Sequence, residues 1–176
     1  MVDSDLVITC PRHFEEDAAD EMRRVLEEMG RDEPHIKRSY LPGILMVVSG
    51  GDPASVSRRI REKIHDEPWT IRYILRAIPV QSWVDTDVRG IVDASRLLAR
   101  GIAEGEQYRI TIEKRDSDVS SREIIGGIAE SIDRKVSLES PDRIVLVEIF
   151  GERTGLALLY DGDILSSEKE RRTLPE

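Results

Sequence analysis

The chain is poor in several things that would each have named a chemistry. It has one cysteine, Cys10, in 176 residues, so no intrachain disulfide can form and a zinc set of paired cysteines is excluded. It has three histidines, His13, His35 and His65, scattered without metal-ligand spacing, so no metal site is expected. No GxGxxG, GxxxxGK[ST], HExxH or CxxC occurs, so the common nucleotide-binding, zinc-protease and redox motifs are missing and no cofactor is expected. Aromatic residues make up only 5% of the chain. No apolar run approaches the ~18 residues of a membrane helix, and the first residues, MVDSDLVITCPRH, lack the basic and apolar regions of a secretory signal. A lone cysteine and no signal fit a cytoplasmic protein. Positive charge is also scarce: 26 Lys and Arg stand against 35 Asp and Glu, a net charge of −9, which argues against broad, nonspecific binding of nucleic acid but leaves room for a local basic cluster.

What is present is a charge-rich globular pattern, 39% hydrophobic and 35% charged. Leu6 to Cys10 reads as a strand ended by Pro11. From His13 to Gly30 the apolar residues Phe14, Ala18, Met22, Val25, Leu26 and Met29 recur at helical spacing. His35–Tyr40 and Ile44–Ser49 flank Leu41-Pro42-Gly43, which predicts a hairpin. Asp52-Pro53 pairs an N-cap with proline at the first helical position, opening a helix whose buried stripe is Val56, Ile60 and Ile64. Thr70 to Val80 is expected to be the next strand. The order β-α-β-β-α-β within about the first 80 residues is the ferredoxin-like pattern, assigned to residues 1–82.

A second domain is expected over residues 83–165. Asp85, Thr86 or Asp87 caps a helix carrying Ile91, Ser95, Leu98 and Ile102. Tyr108 to Lys114 alternates, with Tyr108, Ile110 and Ile112 facing one way and Arg109, Thr111 and Glu113 the other. Ser120-x-x-Glu123 has the form of a capping box before a helix with Ile124, Ile128 and Ile132 on one stripe. Ile144 to Phe150 is apolar on both faces except at Glu148, which predicts a central strand. Another strand follows Glu152-Arg153 and ends near Tyr160. Residues 166–176, SSEKERRTLPE, read as a charged, flexible tail.

Arginine suits phosphate because its planar fork meets two oxygens at once. Arg72 and Arg76, four apart on an expected strand, would share a face; local carboxylates are their competing partners. Lys114 and Arg115 end a strand beside a loop, with Arg122 just beyond and Asp116 and Asp118 close enough to neutralise them. Arg134 and Lys135 follow a helix C-terminus, where the helix dipole favours cations in any case. Arg58, Arg59, Arg61 and Lys63 cluster on the second helix, where such residues ordinarily face water. Trp69, Tyr73 and Trp83 flank the arginines; they could stack on unpaired bases or pack in the core. Gly126-Gly127 inside a helix allows close packing, or close approach of an RNA backbone.

The strand ending Glu113-Lys114-Arg115, the helix SREIIGGIAESI, the segment VSLESPDRIVLVEIFG, the stretch DGDILS and the upstream RYILRAIPV together resemble the THUMP domain, in its free-standing form. That form is similar to the adaptor of eukaryotic tRNA cytidine acetylation and to its archaeal relatives. The resemblance implies an α/β (α+β) chain, a ferredoxin-like domain followed by a THUMP-like domain. It implies binding of tRNA, including the acceptor stem and its single-stranded 3′ end, by Arg72, Arg76, Arg109, Lys114, Arg115, Arg122 and Lys135. It implies a non-catalytic role with no cofactor, presenting tRNA to a separate modifying enzyme, an acetyltransferase. No methyltransferase or pyrophosphatase domain is expected within these residues. Two alternatives stay open at this point: a protein-binding or metabolite-sensing α/β module without RNA, which suits the acidic charge better, and a tRNA-modifying enzyme in its own right.

Overall fold

The order of elements follows the hydrophobic pattern closely. In the computed structural model, which describes residues 3–176, the chain runs β1 (Leu6–Thr9), α1 (Glu15–Glu28), β2 (His35–Arg38), β3 (Ile44–Val48), α2 (Pro53–Asp66), β4 (Arg76–Pro79), β5 (Ser82–Asp85), α3 (Val88–Ala99), β6 (Gln107–Arg115), α4 (Ser121–Ser131), β7 (Lys135–Val136), β8 (Arg143–Phe150), β9 (Arg153–Leu159), β10 (Leu165–Ser166) and α5 (Ser167–Arg172). Single 3₁₀ turns lie at Pro68–Thr70 and Asp161–Asp163. The chain forms two compact units, one of residues up to 79 together with 162–176, the other of residues 80–161. It is an α+β protein.

The first unit is an antiparallel sheet in the order β10-β4-β1-β3-β2 with α1 and α2 packed against it. Its first four strands and two helices reproduce the expected β-α-β-β-α-β order. Ala18, Met22, Val25 and Leu26 of α1 and Val56, Ile60 and Ile64 of α2 are buried over Leu6, Ile8, Leu45 and Val47. The Asp52 carboxylate accepts from the Ala54 N–H at 3.1 Å, so the proposed cap and the proline at the first helical turn act together. Gly43 turns the β2–β3 hairpin at φ +74°, and a Cβ there would come within 2.6 Å of the Cys10 carbonyl oxygen, so glycine is required on both counts.

Two expectations fail in this unit, each for a visible reason. The strand expected from Thr70 begins only at Arg76. The buried Glu21 carboxylate of α1 accepts from the backbone N–H groups of Arg72, Tyr73 and Ile74, at 2.6 to 3.1 Å. Those donors are therefore directed at one carboxylate and not into a ladder. The tail expected to be loose is ordered as β10 and α5. Leu165 is fully buried and pairs with Ala77 of β4, Ser166 caps α5, and Leu174 packs against the core. Glu170 joins α5 to α2 through Arg61 at 2.8 Å and His65 at 2.9 Å, and Arg171 donates to the Ile71 carbonyl. The charged composition of residues 166–176 hid Leu174, which together with Leu165, expected from the sequence in the second domain, holds the segment to the first unit.

The second unit is a mixed sheet in the order β5-β9-β8-β6-β7. β6 runs parallel to β7 and β8, and β9 runs antiparallel to β8 and β5. β8 is central, as its two apolar faces foretold. The helices α3 and α4 share one face, burying Ile91, Ala99, Ile124, Ile128 and Ile132 over Tyr108, Val145, Val147, Ile149, Leu156 and Leu158. Asp87 caps α3 by accepting from Gly90, and Ser120 caps α4 by accepting from Glu123. A Cβ on Gly127 would lie 2.7 Å from Cγ2 of Val92, so this glycine lets α4 approach α3. Its role is packing, whereas Gly126 faces open space.

Candidate nucleic-acid interface

The basic residues chosen from the sequence occupy separate places. In the second unit, Lys114 and Arg115 end β6, and Arg122 stands exposed in the first turn of α4, so these three gather at one end of the sheet. Arg109 and Lys135 lie at the opposite end, where Gln107 and Tyr108 pair with β7. Arg109 is five strand residues from Lys114, about 17 Å.

Each of these cations has a different degree of freedom. Arg115 donates from Nη1 to the fully buried Glu148 carboxylate at 2.8 Å, and its guanidinium lies 4.7 Å from the Phe150 ring centroid. Glu148, the single polar interruption of the central strand, is thus the reason Arg115 stands where it does. Lys114 donates to the Val119 carbonyl at 2.9 Å, which ties the strand end to the loop before α4. Arg109 donates to the Leu138 carbonyl at 3.3 Å. The side chains of Arg122 and Lys135 are exposed and make no hydrogen bond or ion pair among the described residues. The same end of the unit is strongly acidic. A depression of about 510 Å³ there is lined by Asp85, Asp116, Asp118 and Glu152 with Thr86, Ser117 and Gly151. Four carboxylates beside Lys114 and Arg115 reduce the local potential that a phosphate would meet.

In the first unit, Arg72 does not share a strand with Arg76, because it lies in the segment bound by Glu21. Its side chain is exposed, and its Nε donates to the Trp69 carbonyl at 3.3 Å. Arg76 is half-buried in β4, opposite Thr9 and Ser166. Trp69 is 64% exposed, which leaves its ring open for stacking. Tyr73 instead stacks on Phe14 at 5.2 Å, and in the second unit Trp83 leans on Phe150 at 5.9 Å. The basic cluster of α2 is spent on ion pairs: Arg58 with Asp52, Arg59 with Glu62 and Glu28, Arg61 with Glu170, and Lys63 with Glu28. The hydrogen bond from Lys63 holds the Glu28 carboxyl below its ordinary range.

A convergence of cations that the sequence did not single out as a site lies at the C-terminal ends of α3 and α4. A cleft of about 280 Å³ is lined by Arg96, Arg100 and Arg134 with Ala99, Ile102, Ser131, Ile132 and Asp133. Arg134 is fixed by its Nε donating to the Ile102 and Ala103 carbonyls and its Nη1 donating to the Asp133 carbonyl. Arg96 is held by Asp93 at 3.1 Å, and the exposed Arg100 side chain makes no hydrogen bond or ion pair among the described residues. Arg96 and Arg100 stand four apart on one helix face, a spacing legible in the sequence; Arg134 joins them only through the packing of α3 on α4. Three guanidinium groups against two carboxylates, Asp93 and Asp133, make this cleft suited to an anion with several oxygens.

Among the described residues no group of three or more His, Cys, Asp and Glu could hold a metal ion. Burial, with the Glu15 carboxylate adding to it, pushes the Cys10 thiol up to about 11, so it is inert at neutral pH. No helix of the described residues is long and apolar enough to cross a membrane.

No protein-family model and no curated protein matches the chain. Its fold does match solved structures. PH1313 from Pyrococcus horikoshii Ot3 superposes with a TM-score of 0.68 at 15% identity, over 93% of this chain and 55% of that one. A 4-thiouridine synthetase in complex with RNA and ATP gives 0.55 at 14% identity, over 93% of this chain and 42% of that one. TrmN from Thermus thermophilus gives 0.54 at 16% identity, over 87% and 44%. The likeness is one of fold, an α+β arrangement, and the chain spans about half the length of these proteins or less.

Proposed function

We propose that this chain binds tRNA and acts as a non-catalytic adaptor that presents the acceptor stem and 3′ end to a separate modifying enzyme, a tRNA cytidine acetyltransferase. The observation that carries the RNA part is the fold shared over 93% of the chain with a thiouridine synthetase solved on RNA. The adaptor part rests on the sequence resemblance and on the lack of a nucleotide-binding motif in these residues. Within the second unit, the Arg96–Arg100–Arg134 cleft is the most promising phosphate contact, ahead of Lys114 and Arg115, because it gathers three guanidinium groups against two carboxylates, Asp93 and Asp133, whereas four carboxylates line the depression at the other end. Exposed Trp69 beside Arg72 offers the first unit a stacking surface for an unpaired base.

The test is a salt-dependent titration with tRNA, tRNA trimmed of its 3′ single strand, and duplex DNA of matched charge. Preference for intact tRNA is expected, with a shallow slope reporting a few phosphate contacts. Charge reversal at Arg96 and Arg100 should weaken tRNA binding by about tenfold or more and reduce the slope by about 1–2, without unfolding the protein. Equal, weak binding to all three ligands would sink the RNA reading. The acidic depression around Asp116 and Glu152 and the net charge of −9 favour a second reading, a protein-binding module, which that result would leave in front.

A further inference from the structure

The turn between β1 and α1 breaks two local rules in succession. His13 is exposed and holds φ +74°, the left-handed region that glycine favours. Phe14 occupies the N-cap of α1, a place for serine, threonine, aspartate or asparagine, and its side chain makes no capping hydrogen bond. One face of the Phe14 ring lies on Tyr73, with centroids 5.2 Å apart and planes 16° from parallel. Phe14 is still 43% exposed, so the stack ends in solvent on its far side. Packing against Tyr73 requires neither departure. Local rules are broken in this way at sites that bind.

The backbone holds both rings in place. The Tyr73 N–H donates to both oxygens of the buried Glu21 carboxylate, each at 3.1 Å. The Phe14 N–H donates to the Pro11 carbonyl at 3.2 Å, and the Phe14 carbonyl accepts from Ala18 at 2.9 Å. The buried Glu15 carboxylate accepts from the Gly43 N–H at 2.8 Å, which ties the start of α1 to the β2–β3 hairpin. Two rings carried on fixed backbone lose little freedom when a third plane is laid on them.

Each ring has an arginine beside it in the chain. Arg12, two residues before Phe14, is exposed and makes no hydrogen bond or ion pair among the described residues. Arg72, next to Tyr73, is exposed; its Nε donates to the Trp69 carbonyl, and its two Nη groups are unengaged among the described residues. The carboxylates of α1 oppose them only weakly. Glu15 and Glu21 are turned to backbone amides, and Glu16 lies 3.7 Å from Arg38, which leaves Asp17 as the exposed acid of the first turn. We propose that Phe14 and Tyr73 form a stacking site for one unpaired base of RNA, with Arg12 and Arg72 on the phosphates to either side. A free base offers a π-face whatever its identity, whereas a paired base has both faces covered by its neighbours. The site rests on the RNA reading above and gives the first unit a contact of its own.

Fluorescence anisotropy tests this, with a labelled cytidine hexamer, an unstructured single-stranded RNA, titrated with the full chain over a salt series. Binding is expected. Phe14→Leu keeps an apolar side chain but loses the π-face, and should raise the dissociation constant about tenfold with the salt slope unchanged. Phe14→Trp should bind at least as tightly as the natural chain. Arg12→Gln should lower the slope by about 0.7, the share of one phosphate contact on a single strand. Circular dichroism should show all three variants folded. No binding of the hexamer overturns the site, as does an affinity indifferent to Phe14→Leu. Equal, weak binding of tRNA, trimmed tRNA and duplex DNA removes the RNA reading and this site with it. Preference for tRNA over duplex, undiminished by Phe14→Leu and Arg12→Gln, removes this site alone.

Discussion

Truncating Arg115 separates a structural role for this residue from the RNA contact that the sequence suggested. Arg115→Ala removes the guanidinium 2.8 Å from a carboxylate that is fully buried at the centre of the second unit's sheet. Breaking a buried pair from one side costs about 3–5 kcal/mol. The Arg115 side chain is 20% exposed, so solvent reaches the pair from that end and the lower figure, about 3 kcal/mol, applies. The lost contact with Phe150 adds about 0.5–1 kcal/mol. For a unit this small, a urea m-value of about 1–1.5 kcal/mol/M turns the total into a midpoint lower by about 2–4 M. The assay is urea unfolding followed by Trp83, which lies against Phe150, in a Trp69→Phe background that silences the other indole. Arg115→Lys keeps the charge but loses the planar fork, and should cost about 1–2 kcal/mol with tRNA affinity and salt slope unchanged. An unchanged midpoint for Arg115→Ala, with tRNA affinity down about tenfold, would refute the reasoning and return Arg115 to the phosphate contacts.

Two further outcomes follow from single contacts. Glu21→Gln replaces an acceptor of three successive backbone N–H groups by one amide oxygen, and should cost about 2–3 kcal/mol with faster amide exchange at Arg72, Tyr73 and Ile74; unaltered exchange there would show that the segment holds its shape without the carboxylate. Burial works against the charge of Glu170, but the hydrogen bonds from His65 and Arg61 outweigh it and hold the carboxyl below its ordinary range. A depressed folded-state value means the docking of α5 is fully supported above the usual carboxylate range and is lost as pH falls below it. Amide exchange in α5 should therefore accelerate on acidification, and Glu170→Gln should remove that pH dependence; an identical acid response in the variant would refute the assignment.

The local elements of this chain lie in its sequence because they depend on neighbours a few residues apart. The Asp52, Asp87 and Ser120 caps, the Gly43 turn, the helical stripes and the alternation of Tyr108, Ile110 and Ile112 are all set by periodicity and by single-residue backbone preferences. So is the central position of β8, since only a strand covered on both faces is apolar on both. Contacts between distant positions decided the rest. Glu21 reaches over fifty positions along the chain to take the amides of residues 72–74, which parts Arg72 from Arg76. Leu165 and Glu170 return to β4 and α2, which turns a charged tail into part of the first unit. Glu148 claims Arg115, and Arg134 meets Arg96 and Arg100 only because Gly127 lets α4 lie close to α3. A charged side chain takes its role from the partner that folding places within hydrogen-bond reach, and that partner is seldom a neighbour in sequence. The sequence by itself determined the helix caps, the Gly43 turn and the buried stripes, whereas the start of β4 and the ordering of β10 and α5 waited on distant contacts. The tertiary structure alone decided which of the many cations are spent on carboxylates and which remain available to a ligand.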